Sequence, residues 1–125
     1  MKNTLHINDF SWGEVNVNNM IFKDVILCSD GKFIQEWNWK IFNTSHKQIN
    51  IKEFDYLDSY PYVTDLIITK GVDNKLKFDE NGLKFLSNKY SQLSIWHLQT
   101  TDAIDKYREL VNNGKIVFAY IHSTC

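Results

Sequence analysis

The residues of this chain that come closest to a chemical site by type and spacing are a lysine, a glycine, a histidine and two threonines. Lys70 and Gly71 follow the apolar run Leu66-Ile67-Ile68, and His97, Thr100 and Thr101 follow Leu93, Ile95 and Trp96. If both runs are parallel strands, their carboxyl ends share one edge of a sheet, where open α/β folds bind their ligands. Free amides at the start of a helix capped by Thr100 or Thr101, the positive end of its dipole and the Lys70 ammonium would together suit a small anion or a carboxylate. The same residues also have a plain structural use, since threonines cap helices, glycine turns the chain and an exposed lysine is solvated.

The aromatic residues offer a second kind of site. Trp37 and Trp39 stand two apart in a strand pattern and so share a face, which, if uncovered, would make an aromatic patch able to anchor a protein partner. Trp37 is expected in the core, and Trp39 is the residue expected at the partner surface. The histidines His6, His46, His97 and His122 are dispersed with no pair at helical ligand spacing, and Cys28 and Cys125 share no metal-ligand spacing. No metal and no cofactor is therefore expected. A thiolate at Cys125 would need a base in reach and a lowered pKa, but His122, three residues away at a strand end, is expected on the opposite face. Cys28, after Val25-Ile26-Leu27, reads as a small buried hydrophobe. Asp24 and Asp65 both open strands; nothing in the sequence brings them together, and bonds to local backbone amides are expected.

These residues need elements to hold them. From Phe10 to Trp39 apolar residues recur every two positions, with Asn18-Asn19 and Asp30-Gly31 as turns, which predicts an antiparallel meander. After Pro61 the pattern changes. Leu66-Ile67-Ile68, Leu93 to Trp96 and Ile116 to Ile121 read as buried strands, neighbours in one sheet. Between them, Asp79 caps a helix at about 80–90 with Leu83, Leu86 and Tyr90 on one face, and a second helix at about 101–113 carries Ala103, Ile104, Tyr107, Leu110 and Val111 up to Gly114. A short helix from Ile51 to Leu57 would turn Ile51, Phe54 and Leu57 inward. Strand, helix, strand, helix, strand predicts an α/β domain with a central mixed sheet, helices packed on it and a β-rich amino-terminal layer.

Composition narrows the partners. The 125 residues fit one domain, 1–125, and 43% hydrophobic residues suffice for a core without staples. Fourteen Lys and Arg against fifteen Asp and Glu leave a formal charge of −1, so a nucleic-acid partner is not expected. The longest apolar run, Ile116 to Ile121, is far too short to span a membrane. The amino terminus breaks its apolar residues with polar ones and carries no signal-peptide core, so the chain is expected to start near Met1 and to work in the cytoplasm with both cysteines reduced. The glycosylation sequon at Asn43-Thr44-Ser45 then has no use.

The order Phe10-Ser11-Trp12-Gly13-Glu14-Val15, Asp24-Val25-Ile26-Leu27, Asp30-Gly31, Trp37-Asn38-Trp39, Asp65 to Gly71, Thr100-Thr101-Asp102-Ala103, Tyr107 and Gly114 through Cys125 resembles the adipogenesis-associated Mth-type domain family over nearly the whole chain. That family includes small archaeal and bacterial proteins of unknown function and a mitochondrial respiratory complex I assembly factor. The resemblance implies a three-layer α/β Mth-type fold with a central mixed sheet and transfers no catalytic residue. Related sequences usually have a second glycine in the turn that here reads Thr69-Lys70-Gly71, and often a proline where Ser29 stands. A lysine side chain therefore occupies a spot where backbone alone would have met a ligand.

Two functions follow from these patterns. One is a non-enzymatic protein-interaction or assembly module that uses Trp39. The other is a binder of a small anion or carboxylate, or an enzyme, that uses the strand-end cleft of Lys70, Gly71, His97, Thr100 and Thr101.

Overall fold

A computed structural model describes residues 3–125; Met1 and Lys2, on which the expected start of the chain rests, lie outside the described residues. Strands β1 (Ile7–Ser11), β2 (Glu14–Val17) and β3 (Met20–Phe22) form an antiparallel three-stranded sheet. Strands β4 (Val25–Cys28), β5 (Phe33–Glu36), β6 (Asp65–Thr69), β7 (Ser94–Leu98) and β8 (Val117–Ile121) form a mixed sheet in the order β5-β4-β8-β6-β7. In it β8 and β7 run parallel to β6, whereas β4 runs antiparallel to both β5 and β8. A 3-10 helix (Ile51–Ser59), α1 (Glu80–Lys89) and α2 (Thr100–Asn112) complete the chain.

Alternation along the central strands sorts the core into two layers. Val25, Leu27, Ile67, Val117, Ala119 and Ile121 face α2 and the small sheet, and meet Ala103, Ile104, Tyr107, Val15 and Val17. Ile26, Cys28, Leu66, Ile68, Phe118 and Tyr120 face the other way, onto Phe54, Leu57 and Leu86. Cover on both faces buries β4, β6 and β8 at every position, and only the ends of β6 carry polar residues there, Asp65 and Thr69, each with hydrogen-bond partners. The outcome is the three-layer arrangement expected, with Leu66–Ile68, β7 and β8 in one sheet and the stripes of both helices turned onto it.

Three details differ from expectation. The stretch from Phe10 to Trp39 is not one meander: the turn at Asn18 and Asn19 (φ 48° and 69°) joins β2 to β3 as predicted, but the chain then leaves the small sheet, and β4 and β5 join the large one. The reason is that β4 has no polar face, so it needs a neighbour on either side and cover above and below. α2 is capped by Gln99 rather than by Thr100 or Thr101; the Gln99 carboxamide oxygen accepts from the Thr101 and Asp102 amides. The 3-10 helix buries Glu53 along with Phe54 and Leu57. Burial raises the Glu53 pKa, and Thr44 Oγ1 donates to its carboxyl at 2.6 Å. Ser29 donates its N–H to the Val117 carbonyl at 2.8 Å and accepts the Val117 N–H at Oγ at 2.8 Å, so it fastens the β4 turn to β8.

Candidate functional site

The carboxyl ends of β5, β6, β7 and β8 lie on one edge of the large sheet, and residues 122–124 run out along it. The register that sets Val25 against Ile121 brings Asp24, just before β4, beside His122, just after β8. Asp24 Oδ2 is 2.8 Å from His122 Nδ1, and Asp24 Oδ1 accepts the Ser123 N–H at 2.9 Å and its hydroxyl at 3.3 Å. Both residues of the pair are buried. The expected bonds of Asp24 to local amides are thus replaced by bonds across the sheet. Asp65 is elsewhere and accepts from Thr64 Oγ1 and from the Trp96 indole.

The His122 ring forms part of a wall. Trp39 lies against it at 4.7 Å between ring centres, His46 lies 5.4 Å from it, and Trp39 and His46 are 4.8 Å apart. These rings, with Asp24, Trp37 and Thr124, line an open groove of about 500 Å³ whose charged residues also include Lys23, Glu36 and Lys40. Thr124 Oγ1 is 3.4 Å from His122 Nε2. Burial first, then the neighbouring His122, holds the His46 pKa below its usual value. Trp37 is in the core, as expected. Trp39 is half-buried, and its indole N–H meets no acceptor.

The five residues expected at the strand-end cleft are divided. Lys70 and His97 line one cavity of about 290 Å³ together with Asn74, Lys77 and Phe78. His97 Nε2 is enclosed and unpaired, and burial, followed by Lys70 and Lys77, lowers the His97 pKa to about 4. Gly71 (φ 87°) is buried beneath the backbone of Cys125. Thr100 is buried, with its hydroxyl on the His122 carbonyl at 2.8 Å, and exposed Thr101 bonds to Gln99 through its hydroxyl. The amides of Val72, Asp73 and Lys75 donate to the carbonyls of Thr124 and Cys125.

Both cysteines are free thiols. Burial raises the Cys28 pKa to about 12, which makes it inert. Among the described residues no group of three or more His, Cys, Asp or Glu could hold a metal, and no helix is long and apolar enough to cross a membrane.

No family model matches the chain. Its fold is shared with solved structures. A protein named MT938 is similar at a TM-score of 0.72 and 23% identity, over 98% of this chain and 100% of that one. A conserved hypothetical protein from Pyrococcus horikoshii OT3 gives a TM-score of 0.72 at 21% identity, over 95% and 98% of the two chains. A Mth938-like domain from Bordetella pertussis gives 0.63 at 13%, over 98% and 88%. The Mth938-like fold is therefore the one implied by the resemblance, and these likenesses carry no reaction with it.

Proposed function

We propose that this domain, spanning 1–125, is a protein-interaction module whose working surface is the groove beside β8, with Trp39 as its anchor. The observation that supports this reading is the half-buried Trp39 in the wall of that groove, its N–H enclosed without an acceptor. The part of the indole that stays exposed in the groove wall is an apolar surface that a partner's side chain would cover. Around the indoles stand Lys23, Glu36 and Lys40, an aromatic centre within a polar rim of the kind that protein interfaces use. The resemblance to a family that includes an assembly factor agrees with this role, and two free cysteines agree with work in the cytoplasm. Affinity capture from native lysate tests it. A protein retained by the wild type and by Lys70→Ala, and lost with a folded Trp39→Ala, is the expected result; equal retention by Trp39→Ala would overturn it.

A second reading has its own observation: Lys70 and Lys77 flank the unpaired His97 ring in one cavity. Two ammonium groups beside an imidazole suit a small anion or carboxylate. Titration with inorganic phosphate should shift the His97 ring resonances, and less so in Lys70→Ala. Resonances that stay put through the titration would exclude this site.

A further inference from the structure

We propose that Thr124, His122 and Asp24 form a hydroxyl–imidazole–carboxylate relay that hydrolyses a carboxylic ester or thioester bound in the groove. The inference rests on the groove being a working surface and not on its partner being a protein.

The geometry has three parts. First, the Asp24 carboxylate is immobilised from several sides, one oxygen on His122 Nδ1 and the other on Ser123 N–H and Oγ. In the neutral ring this puts the proton on Nδ1 and leaves the Nε2 lone pair for a hydroxyl. Second, the hydroxyl at Nε2 belongs to Thr124, whose Oγ1 lies 3.4 Å away, at the long end of hydrogen-bond reach. Third, the backbone around the relay is fixed. The His122 N–H donates to Thr69 Oγ1 at 2.9 Å, its carbonyl accepts from Thr100 Oγ1 at 2.8 Å, and the Thr124 carbonyl accepts from Val72 N–H at 2.7 Å. His122 and Thr124 both line the groove, whose volume lies within the range of small-molecule sites. The indoles of Trp37 and Trp39 in the same wall favour an apolar acyl group.

In the first step the Thr124 hydroxyl proton moves to His122 Nε2 as Oγ1 bonds to the acyl carbon. The bond to the leaving alkoxide or thiolate breaks, and that group takes the proton from Nε2. In the second step water gives a proton to Nε2 and its oxygen bonds to the acyl carbon. Oγ1 leaves and takes the proton back, releasing a carboxylic acid and restoring Thr124. Water is the only co-reactant. Asp24 is a positioning residue, and the other charged or titratable groups along the groove are His46, Lys23, Glu36 and Lys40.

The whole chain is assayed with p-nitrophenyl acetate and with a small acetyl thioester. Hydrolysis should fall at least ~100-fold in Thr124→Val and in His122→Gln, and should persist in Thr124→Ser. Acid-quenched wild type should carry an acetyl group that peptide mass spectrometry maps to Thr124. The wild-type rate should rise with pH, and that rise should be lost in His122→Gln. Thr124→Val is isosteric at a half-buried position, so it carries the test even if His122→Gln fails to fold. Wild-type hydrolysis no faster than that of folded Thr124→Val would overturn the proposal. Partner capture by Thr124→Val reports on the interaction reading separately, so the two can fail independently.

Discussion

At the ends of β6 and β7 the sheet edge is closed by the chain's own backbone, whereas at the ends of β5 and β8 it is left open. The closed half has the usual anion-binding parts: strand ends, a glycine turn and the start of a helix. Yet its backbone donors are already used. Gln99 takes the first amides of α2, the Gly71 carbonyl accepts the Thr100 N–H, and residues 124 and 125 take the amides that follow Gly71. The open half has no helix start, and its polar groups are side chains, among them the Asp24 and Glu36 carboxylates, the His46 and His122 imidazoles, the Thr124 hydroxyl and two lysines. A strand-end site therefore depends on which donors remain unspent, and topology alone does not tell that.

The sharpest way to break this contrast is Gly71→Ala. A Cβ there would fall inside the contact radius of the Cys125 carbonyl, at a φ that side chains rarely adopt, so a loss of about 4 kcal/mol in urea unfolding is expected. A mild effect would mean that the closed half is not closed. Next comes Asp24→Asn, which takes the charge from the His122 pair and turns an amide toward donors, at a cost of about 2–3 kcal/mol by the same measurement.

A smaller effect separates the halves by pH. The folded His97 takes up its proton only near pH 4, whereas the unfolded chain does so near 6.5, so on acidification the unfolded state gains the proton first. Its contribution to stability is therefore complete above pH 6.5 and lost as the pH falls toward 4, by up to about 2 kcal/mol. Stability measured at pH 7 and pH 5 should diverge less in His97→Gln than in the wild type. The smallest effect belongs to Lys70→Ala, expected below about 0.5 kcal/mol. It should still raise the His97 titration midpoint followed by NMR, because Lys70 is next after burial in holding it down.

Much of this edge could be read from period and spacing. The apolar stripes located both α-helices, the apolar runs located β6, β7 and β8, although β7 is a half-exposed edge strand rather than a buried one, and Lys70 and His97 do share a cavity. The open half could not be read in the same way. Asp24 and His122 are 98 positions apart, and they meet only because β8 inserts beside β4 in one register. A sheet that admits several strand orders gives no local signal of which one forms. Gln99 was missed for a different reason: its longer side chain reaches the same amides from a residue type that seldom caps helices.

The place of β8 has a consequence for how the chain is made. It lies between β4 and β6, so during synthesis β4 and β5 cannot be joined to β6 and β7 in the large sheet until β8 has been made. Until then the flanks of β4 and β6 are bare, apolar and ready to pair with another copy. One late strand zips the halves together and, in the same event, delivers His122 to Asp24. The groove is thus absent from every shorter nascent chain, and no partner that recognises it can bind before folding is complete.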